Sequence, residues 1–242
     1  VNARIKAVAR KELREFRRNK LVIFTMAILP LFFIAVPLAS VLALPQGTAQ
    51  STVKAVVGSA LLGFFLMPLI LPTVIAGYAV VGERDQGTLE PVLTTPVRRS
   101  ELLMGKALAA IVPATGVAYV LFAIFLTLVA TLSSHDVEHV ALNPALFVPV
   151  IVFIPLLATF SIWVGLAISA RSSDVRVAQQ LAALAMLPMV GVLWLFAFGV
   201  IAPTLGVAIG GAAILIALDL GAWRIVSALF DPERLLTRYG AS

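Results

Sequence analysis

Residues 21–44 read LVIFTMAILPLFFIAVPLASVLAL, a stretch with no charged side chain that follows directly on RRNK at positions 17–20. A helix needs ~20 apolar residues to cross the ~30 Å hydrocarbon core of a bilayer, and this run supplies them. It is far longer than the ~7–15-residue apolar region of a secretory signal, so it reads as a retained span. Working outward, the same pattern recurs at 56–81, 107–132, 146–170, 181–201 and 205–229. Of the 242 residues, 61% are hydrophobic and 12% charged, with a mean hydropathy of +1.05, more apolar surface than one soluble core can use. Lipid must solvate most of the chain, and backbone satisfaction in lipid makes each span a helix. The expected fold class is an all-α integral membrane protein with six transmembrane helices.

The charges orient it. Every lysine and arginine except Lys54 falls in the segment before residue 21, around 84–106, at Arg171 and Arg176, or at Arg224, Arg234 and Arg238. Cytoplasmic connections collect basic residues, so these segments belong inside, and the acidic, histidine-containing 133–143 connection belongs outside. Both termini are then cytoplasmic, in the plasma membrane of a prokaryote. The expected division is an interfacial helix at 1–20, one six-span domain at 21–229 and a cytoplasmic tail at 230–242. The weakest junction is 201–205, where Ala202-Pro203-Thr204 either reverses the chain between two full crossings or joins re-entrant half helices. The net charge of +6 sits where anionic headgroups lie and argues for the lipid bilayer as partner, not nucleic acid. The absence of cysteine removes disulfides, thiolate metal sites and thiol nucleophiles.

Two cytoplasmic segments carry information. In 1–20, Ile5, Val8, Ala9, Leu13 and Phe16 recur at helical spacing while Arg4, Lys11, Arg14, Arg17 and Arg18 crowd the other faces. This is an amphipathic helix on the inner leaflet, serving either as an orientation anchor or as a lever toward a cytoplasmic partner. The 82–101 connection has the local chemistry of a short capped helix. Gly87 permits a break, Thr88 can cap the following amides, Glu90 suits the positive end of a helix dipole and Pro91 is tolerated in a first turn. Pro96 ends it, and Ser100 can cap the next helix. A third connection, 169–180, offers Asp174 as a helix cap.

The residues Glu83-Arg84-Asp85-Gln86-Gly87-Thr88-Leu89-Glu90, Leu93-Thr94-Thr95-Pro96-Val97-Arg98-Arg99, Glu101-Leu102 and Gly105-Lys106 resemble the characteristic loop of ABC type-2 permeases, the membrane subunits of ATP-driven exporters. The resemblance implies that the loop between spans two and three is a coupling helix that docks into an ATPase subunit. It assigns Glu83, Arg84, Gly87, Thr88, Leu89 and Glu90 to that contact, with Arg98 and Arg99 as supporting charges. It further implies two ABC ATPase subunits and a second permease copy, identical or paralogous. The chain lacks a phosphate cradle of its own, because Gly105-Lys106 is followed by Ala107 and Ser100 stands where the first P-loop glycine would be. ATP and Mg therefore belong to the partner ATPase, and no catalytic residue, cofactor or metal is assigned to this chain. The expected substrate is a hydrophobic or amphipathic compound such as a drug, antibiotic or lipid; sodium export is the alternative.

Within the spans the one acid is Asp219, near the inner boundary, with either a structural role or a part in ion or substrate coupling. Pro68, Pro72 and Pro188 are the best candidates for functional kinks, since the resemblance places their spans at the dimer interface. Phe64, Phe65, Trp194, Phe196 and Phe198 lie on the same spans, and with Asp219 these residues form a candidate translocation path. A secondary transporter would need more intramembrane ionisable groups and a repeat. An intramembrane hydrolase would need a base near Ser59 or Ser161, and the histidines, His135 and His139, fall in the exterior connection with Asp136 and Glu138, where a solvated loop is the expected state rather than a metal site.

Overall fold

The computed structural model describes residues 3–18, 20–82, 98–198, 200–202 and 204–229; these residues are helical or lie in short turns, and none is in a strand. In chain order the helices are α1 (Ala3–Phe16), α2 (Lys20–Leu42), α3 (Gln50–Gly63), α4 (Leu66–Ala79), α5 (Arg99–Leu132), α6 (His135–Ala141), α7 (Pro144–Ser169), α8 (Val175–Ala197) and α9 (Leu205–Leu229). Five stretches are long and apolar enough to cross a membrane: Gln50–Thr73, Ser100–Leu132, Pro144–Ser169, Val175–Ala197 and Leu205–Leu229. α2 adds the shorter apolar stretch Ile28–Leu42. The chain is thus an all-helical membrane protein.

The second predicted span, 56–81, is not one rod. It begins earlier, at Gln50, and tightens at Phe64–Phe65 into a turn that keeps right-handed helical dihedrals (φ −68° and −74°), with amides that reach back three residues to the Leu61 and Leu62 carbonyls (3.2 and 3.0 Å). Pro68 explains the turn: it has no N–H for the Phe64 carbonyl, and it is tolerated only because it falls in the first turn of the new helix α4. The third span is longer than predicted. α5 runs for 34 residues, about 50 Å at 1.5 Å per residue, so its first turns extend beyond a ~30 Å hydrocarbon layer.

α7 is the central helix, with α3, α4, α5, α6, α8 and α9 all against it. Its start is fixed by Asn143, whose Oδ1 accepts the Ala145 amide (3.0 Å), and by Pro144 in the first turn. One core cluster gathers Phe64, Phe122 and Phe125, with ring centroids 5.1–5.2 Å from Phe64, among α3, α4, α5 and α7. A second joins Ile75 and Ala76 of α4, with Val80 just after it, to Leu103 and Ala107 of α5 and to Ile162, Trp163 and Leu166 of α7. α8 and α9 are peripheral, only 11% of their apolar windows being buried against 56% for Gln50–Thr73. Each is an unbroken helix, so neither is a re-entrant pair of half helices. Asp174 caps α8 as expected, its Oδ1 accepting the Arg176 and Val177 amides (2.6 and 3.2 Å).

Candidate functional site

Glu83, Arg84, Gly87, Thr88, Leu89 and Glu90, and the short capped helix predicted around them, lie outside the described residues. The two roots of that loop are described, and each is clamped to another part of the protein. At the first root α4 unwinds: Val80 leaves the helical region (φ −121°, ψ −53°), and the amides of Val80 and Val81 both donate to Ser169 Oγ on α7, at 3.3 Å each. Val80, Val81 and Ser169 are all buried, so at this root the irregular backbone is satisfied by a protein hydroxyl.

At the second root α5 starts with Arg99, and Arg98 is exposed in the capping position. The cap is not Ser100, which lies inside the first turn. Glu101 reaches back instead, its Oε2 accepting the Arg98 amide at 3.0 Å and lying 3.6 Å from Arg4 Nη1 of α1. One turn on, Gly105 admits α1 at close range: a Cβ there would stand 2.5 Å from Val8 Cγ1 and 3.2 Å from the Ile5 carbonyl oxygen. Beside it Lys106 Nζ donates to Glu12 Oε1 at 2.9 Å, with both side chains almost fully buried. The stripe Ile5, Val8, Ala9, Leu13 and Phe16 therefore meets α5 rather than lying on lipid alone. Glu12 sits in the middle of that stripe, and a carboxylate there is tolerable only opposite a cation.

The candidate path residues do not share one surface of the protomer. Phe64, Phe65, Pro68 and Pro72 are buried in the core, Phe65 resting on Phe153 of α7 (5.7 Å). Pro188, Trp194 and Phe198 are exposed on α8, with Trp194 and Phe198 stacked at 5.3 Å. Asp219 is on the α9 face that carries Leu215 and Val226; it is buried, and its Oδ1 has no hydrogen-bond partner among the described residues. One turn away Trp223 meets Trp163 of α7 edge to face at 4.9 Å. The 133–143 connection contains α6, a helix that buries Val137, Val140 and Ala141. Its His135 lies 3.6 Å from Glu138 and 6.0 Å, ring to ring, from His139.

Residues 6–228 match the model of the ABC-2 family transporter proteins. The chain belongs to the ABC-2 transporter family. Two curated relatives are similar over part of their length, both described as probable ABC transporter permease protein NosY. The one from Pseudomonas aeruginosa is 36% identical over 101 residues, which are 42% of this chain and 36% of the relative. The one from Stutzerimonas stutzeri is 41% identical over 102 residues, 41% of this chain and 36% of the relative. The matched part is thus little more than a third of these relatives. The chain is an ABC-2 type permease, the membrane component of an ABC transporter.

In this ABC-2 permease, the residues that sequence reasoning missed are hydroxyls. Pro72 leaves the Pro68 carbonyl without its i+4 donor, and Ser161 Oγ of α7 fills that vacancy at 2.8 Å. Pro155 does the same to the Ile151 carbonyl, which Tyr119 Oη of α5 fills at 2.8 Å. Ser161, Gly165 and Ser169 recur at i, i+4, i+8 on the α7 face that meets α4, and a Cβ on Gly165 would stand 2.4 Å from Ala76 Cβ. The proline positions and the small-residue spacing were the available signals; pairing each orphaned carbonyl with its donor required the fold.

Proposed function

We propose that the chain is the membrane subunit of an ATP-driven exporter, with the 83–97 loop as the contact for a separate ATPase. One observation carries this: both roots of that loop are tied by buried polar contacts, Val80 and Val81 to Ser169, and Lys106 to Glu12. A loop that takes a push from a soluble partner needs such roots, because displacement at its tip must reach the helices without being absorbed locally. In this reading Glu83, Arg84, Gly87, Thr88, Leu89 and Glu90 face the ATPase, with Arg98 and Arg99 beside them. Two ATPase subunits hold ATP and Mg and serve two permease copies. α2 counts as a sixth span, and both termini lie in the cytoplasm. The exposed apolar face of α8, with Leu181, Leu184 and Trp194, suits lipid, a second permease copy or a hydrophobic substrate.

The test is purification of the chain from its native membrane, wild type beside Glu83→Ala/Glu90→Ala, with identification of what accompanies it. The expected result is a P-loop ATPase bound to the wild type and lost or uncoupled in the variant. Absence of any ATPase from the wild-type preparation would overturn the reading. Asp219 favours a second reading, sodium export, since a buried carboxylate whose Oδ1 has no hydrogen-bond partner among the described residues can take a cation. That reading expects ATP hydrolysis by the complex to depend on sodium in the wild type and to lose the dependence in Asp219→Asn; sodium-independent hydrolysis would refute it.

A further inference from the structure

α4 is bounded by two interruptions. At one end is the tightened turn at Phe64–Phe65, and at the other the unwound turn at Val80, immediately before the 83–97 loop. Between them α4 is a 14-residue rod laid along α7. Three small residues of α7 make the seam. Ser161 bonds the Pro68 carbonyl near the tightened turn, Gly165 lets Ala76 seat, and Ser169 takes the two amides at the loop end. The two serines are chemically alike but mechanically different. Ser161 completes a proline-broken helix in its first turn, whereas Ser169 holds the backbone through which any displacement of the loop must pass.

We propose that Ser169 is a positioning residue for coupling: its hydroxyl clamps the root of the 83–97 loop to α7, so that α4 and α7 move as one lever about the Phe64–Phe65 turn. This rests on the reading of 83–97 as the ATPase contact. Discrete breaks absorb the backbone rotation while packed helices between them stay rigid. The small seam lets α4 and α7 approach closely, and α7 in turn touches most other helices of the described fold, so that one element carries the signal to the rest.

The test uses the complex of full-length chain and ATPase in nanodiscs. Residues 1–242 contain no cysteine, so Val148→Cys, at an exposed position near the start of α7, gives a maleimide target whose labelling is read on the permease band against the complex without the cysteine. In this background ATP with vanadate is expected to change the labelling rate at least about threefold. Adding Ser169→Ala is expected to abolish the change while the ATPase stays bound and active. Adding Ser161→Ala, which removes an interhelical bond of the same kind, is expected to keep it. A purely structural role predicts equal effects of the two serine changes, and that result would overturn the proposal while leaving the exporter reading intact. A Val148→Cys complex that binds the ATPase but shows no nucleotide response would also overturn it. Loss of the ATPase from the unsubstituted complex would instead defeat the exporter reading. Hydrogen exchange at Val80 and Val81 in the unsubstituted chain gives a second measurement: both amides are expected to stay protected with and without nucleotide, and rapid exchange in either state would sink the clamp.

Discussion

Replacing Glu12 by alanine takes from Lys106, whose side chain is 1% exposed, the carboxylate 2.9 Å away. Removing one partner of a buried pair costs up to ~3–5 kcal/mol, because a charge in a low-dielectric place loses that compensation. That energy corresponds to roughly two to three and a half powers of ten in an equilibrium constant. The loss should be local. Among the described residues α1 has α5 as its main neighbour, so undocking of α1 exposes Lys106 to solvent while the α4–α7 core stays shut. Hydrogen exchange with peptide resolution, in nanodiscs, should show the amides of Ala3–Phe16 exchanging ~100-fold or more faster in Glu12→Ala, with those of α4 and α7 unchanged. The apolar pair Glu12→Leu/Lys106→Met should recover protection, since well-packed hydrophobes of similar volume replace buried ion pairs at little or no loss. Wild-type exchange in Glu12→Ala, or a double variant that opens as readily as the single one, would refute the reasoning.

Gly105→Ala should force α1 away from α5, because the new methyl meets Val8 Cβ and Cγ1 at 2.5–2.6 Å; overpacking of this kind costs ~1–3 kcal/mol, and Val8→Ala should recover much of the lost thermal stability measured in detergent. Gly165→Ala should likewise pry α4 from α7, lowering the unfolding midpoint, and Ala76→Gly in the same chain should restore it if contact at that point is the cause. Tyr119→Phe should lose ~1 kcal/mol by stranding the Ile151 carbonyl; adding Pro155→Ala returns an N–H to that carbonyl, so in a double-mutant cycle the Tyr119→Phe loss should shrink toward zero, and an unchanged loss would show that the hydroxyl acts elsewhere.

Two spans were legible almost to the residue because lipid leaves a strong mark, 146–170 and 205–229 differing from α7 and α9 by no more than two residues at either end, whereas 181–201 is displaced from α8 at both ends. The turn at Phe64–Phe65 was less visible. Pro68 and Pro72 were recognised as possible kinks, yet a proline within an apolar run is compatible with a bent helix or with two helices, and only the neighbour that takes the freed carbonyl decides. The α1 stripe reads in the sequence as a face on the inner leaflet, whereas α1 lies against α5. Apolar spacing says that a face is covered, not whether lipid or protein covers it, and the clue was Glu12 in the middle of the stripe. Gly105-Lys106 was legible as a motif and as a failed P-loop; that its glycine admits Val8 and its lysine answers Glu12 depends on residues almost a hundred positions away.

Prolines make a membrane helix bendable by deleting hydrogen bonds that lipid cannot replace, so each deletion creates a demand for a donor from another helix. Here the demand at Pro72 is met by Ser161 and that at Pro155 by Tyr119, and each answer ties the bent helix to one neighbour. Loss and connection are therefore coupled by chemistry: where a proline deletes a hydrogen bond within α4, the freed carbonyl is held by α7, and the helix stays one packed rod. The same rule applies at the unwound turn at Val80, where the donors are backbone amides and the acceptor is Ser169. A loop whose displacement is to be felt across the membrane gains from being rooted there, because the turn that permits movement also fixes which helix must follow.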